Sequence, residues 1–168
     1  MQLNKNAAER LIADLGMDDM PIMAVRAVRV PVAGDWFARY KNTVRQFLGT
    51  LTECVQELAF MNLTQDEFME LMMGRAVPPN LSVRFRIPLV WGGDLSVANM
   101  FMCYTFPHSH NMDRFIIAQT GNDIVWVPNP AKKIYLPTHT AGGGDGGNAT
   151  EDRLAQMAAQ IAQNRGME

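Results

Sequence analysis

Two histidines separated by one residue are the strongest candidates for chemistry in this sequence. His108 and His110 lie in a segment predicted to be a polar loop at the end of a strand. Side chains two positions apart in an extended chain point the same way, so both imidazoles could reach one metal ion. Asp113 or the distant His139 could supply a third ligand. The alternative is a polar loop in which Asp113 caps the turn and pairs with Arg114.

Cys103 is a candidate nucleophile near these histidines. Together with a histidine and Asp113 it has the residue types of a catalytic triad. It lies within an apolar run, however, where cysteine usually serves as a small buried hydrophobe. We therefore predict no catalytic residue. A small metal-dependent hydrolase or nuclease, built on the histidine pair and a divalent metal, stays an alternative function.

A second candidate site is basic. Arg84 and Arg86 alternate with apolar residues in a segment starting at Leu81, which places both on the polar face of a predicted strand. A basic strand face near aromatic residues can bind RNA or single-stranded DNA. The alternative is a solvated face with acidic partners from the helices, such as Glu53, Glu57 or Glu70. A nucleic-acid-binding module is the second alternative function, although the net charge of the chain is −2.

Methionine is abundant, with thirteen residues in the chain. Methionine fills irregular cores and also lines adaptable interaction surfaces. Met72 and Met73 are adjacent in a predicted short helix, so their side chains cannot both face the same core. We therefore expect one of them to face a partner.

The C-terminal region contributes a second apolar feature. A glycine-rich linker is predicted over residues 141–148 and a helix over residues 149–168, with an apolar stripe of Leu154, Met157 and Ile161. The linker lacks the Gly-Lys-Ser/Thr ending of a phosphate-binding loop. A helix of about 15 residues is marginal in water without packing. We expect it to dock on a partner surface beside Met72 or Met73, with docking on its own sheet as an equal alternative.

The elements that position these residues predict an α+β fold. A single domain is expected over residues 1–140, with a mainly antiparallel sheet between about 81 and 136. A long amphipathic helix over about 35–60 should pack on this sheet. Within the sheet, the strand over 97–106 should be covered on both sides, and a further strand is expected at 115–119.

Length and composition limit the class of protein. At 168 residues the chain suits one domain, and it has no apolar run of the ~20 residues that a membrane span needs. Charged residues near the N-terminus argue against a signal peptide, and Cys54 and Cys103 suit reduced thiols. We expect a cytoplasmic protein, or one incorporated in a particle assembled there. The favoured function is a non-catalytic interaction or assembly subunit, such as a phage structural protein, that binds protein partners or itself.

Overall fold

A computed structural model of the chain describes residues 2–136. The predicted linker, the predicted C-terminal helix and His139 therefore lie outside the described residues. The described part alternates short helices and strands along the chain. These are α1 (Lys5–Asp14), β1 (Ile22–Arg26), α2 (Trp36–Gly49), α3 (Val55–Phe60), α4 (Gln65–Met72), β2 (Leu81–Phe85), β3 (Met100–Tyr104), α5 (His110–Ile117) and β4 (Ile124–Pro128).

The α+β class and the antiparallel pairing are confirmed, but the described strands form two small sheets. β1 pairs with β4, with Ala24 opposite Trp126. β2 pairs with β3, with Val83 opposite Met102. Met102 also forms an isolated parallel bridge with Ile134.

Strand β3 forms the wall between two hydrophobic cores. Met100 and Met102 point into a first cluster with residues of α2, α3 and α4. Phe101 and Cys103 point the other way, into a second cluster with residues of α1 and α5. The first four residues of β3 are all buried, which confirms the prediction that this strand is covered on both sides.

The long helix predicted over 35–60 is interrupted. Thr50–Cys54 forms a 3₁₀ turn between α2 and α3. The Thr50 hydroxyl donates a 2.6 Å hydrogen bond to the Phe47 carbonyl oxygen, a local bond that competes with the helical ladder. The apolar stripe survives the break, because Phe47, Leu51 and Leu58 are all fully buried in the first cluster.

Residues 105–117 correct the sequence prediction most clearly. A loop followed by a strand at 115–119 was expected, but helix α5 occupies His110–Ile117. The segment Thr105–Ser109 before it is kinked, since Phe106 has non-helical backbone angles. Met112 and Phe115, three positions apart, are fully buried, whereas Ile117 is exposed. This is a helical period, which the short Phe-Ile-Ile run conceals when it is taken as strand-like.

Side-chain hydrogen bonds cap the beginnings of two helices. The Asn4 side chain accepts the Ala7 N–H and begins α1, and Thr64 forms a complete capping box with Glu67 at the start of α4. Among residues 2–136 there is no helix with the length and apolarity needed to cross a membrane.

Candidate functional site

The first turn of α2 and the chain before it expose apolar side chains that would ordinarily be buried. Trp36 is 38% exposed and Phe37 53% exposed. Val28, Val30 and Val32 are exposed as well. Large exposed apolar patches in a folded domain usually mark an interaction site.

The backbone explains this exposure. After β1 the chain is held as far as Val28, whose N–H donates to the Trp91 carbonyl oxygen at 3.2 Å. Beyond it, residues 29–35 form neither strand nor helix, and every one of them is exposed. Helix α2 therefore begins outside the core, and its first turn faces solvent before the buried stripe starts.

Aromatic rings connect this surface to the interior. The ring centroids of Trp36 and Phe37 are 5.6 Å apart, those of Trp36 and Tyr40 are 5.8 Å apart, and those of Tyr40 and Phe85 are 5.9 Å apart. Tyr40 and Phe85 both pack against the first core cluster. Burial raises the pKa of the Tyr40 hydroxyl. The exposed rings thus contact side chains that pack on the core, and such contacts reduce the side-chain entropy that binding would cost.

A cavity of about 490 Å³ opens beside these rings. It lies between the start of α2, strand β2 and the turn that follows β2. Its lining is almost entirely apolar and consists of Val32, Trp36, Val83, Arg84, Phe85, Pro88, Leu89 and Val90. Val90, 56% exposed, forms part of its rim. We call Val32, Trp36, Phe37, Phe85 and Val90 the Trp36 patch.

Arg84, predicted to face solvent, is instead turned towards α5. Its Nη1 lies 2.7 Å from the Asp113 carboxylate and donates to the Ser109 hydroxyl at 2.9 Å. The Arg84 side chain is only 16% exposed. This strand face is therefore covered by α5, which occupies the place where solvent was expected.

Arg86 is held on the same side of the strand. Its guanidinium stacks over the Phe101 ring at 5.4 Å and donates to the Lys132 carbonyl oxygen at 3.3 Å. Burial lowers the pKa of Arg86. The acidic partners suggested for these arginines bond elsewhere, since Glu57 pairs with Lys132 and Glu53 with Lys133. Arg84 does have an acidic partner on a helix, Asp113, although not one of those suggested, and both arginines are only partly exposed. Nucleic-acid binding stays an untested prediction.

The predicted metal ligands are placed in different surroundings. His108 is buried, with its ring 5.5 Å from the Tyr135 ring. His110 is exposed and meets the Phe106 ring edge-on. Asp113 bonds to Arg84. Within residues 2–136 there is no group of three or more His, Cys, Asp or Glu side chains that could hold a metal ion.

Cys103 has no exposed surface. Burial raises the pKa of its thiol to about 12, with the neighbouring Arg84 charge acting in the opposite direction. A thiol with so high a pKa is almost entirely protonated at neutral pH and is a poor nucleophile. The structure thus places Cys103 in the structural role that its apolar context predicts.

The predicted methionine surface is largely core. Met72 is fully buried in the first cluster, so its side chain is not available to a partner, which corrects its assignment to partner binding. Met73 is half-buried and packs against the same cluster. Leu154, Met157 and Ile161, the other predicted partner-binding residues, lie outside the described residues.

The Trp36 patch was not among the sites predicted from the sequence. Trp36 and Phe37 are adjacent on a helix, so the argument applied to Met72 and Met73 applies equally here: one of the pair must point away from the core. That signal was present in the sequence.

Comparison with known proteins adds no further constraint on function. No family model, no curated protein and no solved structure matches this chain. The function must therefore be argued from the geometry of the Trp36 patch and its surroundings.

Proposed function

We propose that this protein is a non-catalytic assembly subunit whose copies bind one another through the Trp36 patch. The observation that carries the proposal is the pair of exposed rings, Trp36 and Phe37, beside an apolar cavity of about 490 Å³. Aromatic residues next to a pocket are the usual energetic centre of protein interfaces. The subunit would act in the cytoplasm or in a particle assembled there, such as a phage or another multiprotein assembly.

The energetics favour covering this surface. Removing apolar surface from water contributes roughly 25 cal/mol per Å². Trp36 is still 38% exposed and Phe37 53% exposed, and this remaining surface is what a partner can bury. Phe37 already loses part of its exposure to Lys41, whose Nζ lies 4.6 Å from the ring centroid. A partner that covers both rings would remove the rest of this apolar surface from water, which favours binding.

The chemistry of the cavity supports binding over catalysis. The charged group among its lining residues is Arg84, and its guanidinium is already engaged by Asp113 and Ser109. The remaining lining residues offer shape and apolar contact. Such a site suits an apolar side chain inserted by a second protein chain.

The test is the dependence of molecular mass on concentration, measured by sedimentation velocity across the micromolar range. The Phe37→Glu variant is suited to it, because a carboxylate in the first turn of α2 is favoured by the helix dipole and faces Lys41 four residues on. The fold should therefore persist while the patch loses its apolar character. Ile117→Glu, at a residue that is 68% exposed and outside the patch, is the matched control.

We expect the wild-type chain and Ile117→Glu to associate with the same concentration dependence, and Phe37→Glu to stay at the monomer mass of 18.8 kDa. A wild-type chain that is monomeric at every concentration overturns the proposal. So does a Phe37→Glu variant that associates as the wild type does.

A further inference from the structure

We infer that the Trp36 patch of one copy is occupied by residues 149–163 of a neighbouring copy, through the stripe of Leu154, Met157 and Ile161. This inference rests on the proposed function and names the element that fills the cavity. It joins two features found independently: an exposed apolar cavity in the described domain, and an apolar stripe in the sequence outside it.

The stripe has the spacing of a helix face. Leu154, Met157 and Ile161 are three and four residues apart, and they span roughly 10 Å along a helix at 1.5 Å per residue. A helix that lays such a stripe into an apolar groove is a common mode of recognition. Methionine at the centre of the stripe adapts well to an irregular cavity such as this one.

Charge is complementary between the two elements. The exposed cations Arg29, Arg39 and Lys41 lie along the segment that carries Trp36 and Phe37, against the single carboxylate of Asp35. Residues 140–153, which lead into the stripe, contain three carboxylates, Asp145, Glu151 and Asp152, and one cation, Arg153, so their net charge is −2. Opposite charges at the rim steer association and fix the orientation of the docked helix.

The same charges argue against two patches facing each other. A two-fold contact of patch on patch would bring Arg29, Arg39 and Lys41 of one copy close to the same residues of the other. Like charges across an interface oppose binding. A concave cavity also needs a convex partner, which a second identical cavity does not offer.

The connecting chain is long enough to reach another copy. Seventeen residues separate Leu136, which packs on the first core cluster, from Leu154. As a flexible coil they span roughly 20–25 Å, and fully extended at most about 60 Å. A domain of this size has a radius of gyration of about 14 Å, so the stripe can leave its own domain and contact a neighbour.

The experiment mixes two full-length variants that are defective in different halves of the contact. Phe37→Glu has a damaged patch and an intact stripe, whereas Met157→Glu has an intact patch and a damaged stripe. Gln156→Glu, about 100° around the helical wheel from Met157 and outside the stripe, is the control for added charge. Molar mass is measured by light scattering coupled to size exclusion, for each variant alone and for the equimolar mixture.

We expect each damaged variant alone to be monomeric, and their mixture to form a one-to-one complex of two chains. The intact stripe of one variant then fills the intact patch of the other, and the complex cannot grow further. The Gln156→Glu control should associate as the wild type does.

Two outcomes overturn the inference. If Phe37→Glu is monomeric but Met157→Glu associates as the wild type does, the patch still joins copies and the proposed function stands, but another element fills the cavity. If the mixture stays monomeric, the stripe does not bind the patch of a second copy. A monomeric wild type, by contrast, removes the proposed function and this inference together.

Discussion

Arg84 and Asp113 join strand β2 to helix α5 through an ion pair of 2.7 Å. Asp113 is 59% exposed, whereas the Arg84 side chain reaches it from a largely buried position. The pair therefore lies at the surface, where α5 meets β2. It ties together two residues that the sequence assigned to different functions, a metal site and a nucleic-acid surface.

Removing Arg84 should destabilise the protein. We expect Arg84→Ala to lower the free energy of unfolding by about 1–3 kcal/mol, because it leaves the Ser109 hydroxyl and the Asp113 carboxylate without their charged partner. The measurement is urea denaturation. Arg75→Ala is the control, since Arg75 pairs with Glu70 at 3.5 Å on an exposed surface and should cost at most about 1 kcal/mol. Equal losses for the two variants would contradict this account.

Tyr135 should anchor the end of the described chain. Its buried hydroxyl donates a 2.6 Å hydrogen bond to the Asp19 carboxylate and so links residues far apart in sequence. Tyr135→Phe should cost roughly 1.5–3 kcal/mol, the range for a hydrogen bond to a charged group. Chemical denaturation measures the loss. The companion substitution Asp19→Asn should cost less than this, because an amide oxygen can still accept the bond. A larger loss for Asp19→Asn would contradict the assignment of this hydrogen bond.

Alkaline pH should destabilise the fold through Cys103. Burial raises the pKa of its thiol from 9.0 to about 12. The folded state thus favours the protonated thiol, and the resulting stability is fully present below pH 9 and lost as the pH rises towards about 12. We expect the thermal midpoint to fall across this window, and to fall less steeply in Cys103→Ala. Identical slopes in the two proteins would show that Cys103 plays no part.

Gly93 should be intolerant of any side chain. A Cβ atom at this position would lie 1.9 Å from the Ile87 carbonyl oxygen, so the backbone would have to move. Gly93→Ala should therefore lower the thermal midpoint by several degrees or prevent folding. Gly34→Ala is the control, because a Cβ there meets nothing within 4 Å. Similar thermal midpoints for the two variants would mean that Gly93 does not lie as close to Ile87 as described, in the connection of residues 86–99 between β2 and β3.

The parts of the fold that the sequence predicts well are those controlled by local chemistry. The caps at Asn4 and Thr64 each bond within one helical turn, and the result does not depend on distant residues. The burial of strand β3 was equally predictable. Its odd-numbered and even-numbered residues are both largely apolar, so both faces of the strand must be covered. The helix at 110–117 was not predicted, because its two buried residues contact α1, about a hundred positions away.

The candidate site was hard to predict for the same reason, because it depends on contacts between residues far apart in the sequence. Arg84 faces α5 because α5 packs beside β2. The local sequence pattern of β2 does not reveal this packing. The exposure of Trp36 and Phe37 follows from how the chain leaves β1 after Val28, which is also non-local. Only the adjacency of two large aromatic residues on a helix was visible in the sequence, and it indicated that one of them faces outward.

The central claim is that the Trp36 patch contacts a second copy of the chain, and photo-crosslinking from position 37 tests it most directly. Phe37 is replaced by benzoylphenylalanine, which keeps an aromatic ring at a residue that is 53% exposed. Unlabelled and heavy-isotope-labelled copies are mixed, irradiated and digested, and crosslinked peptides are identified by mass spectrometry. We predict mixed-isotope crosslinks that join position 37 to residues 149–163. Crosslinks confined to peptides of a single isotope, or none at all, would contradict the claim.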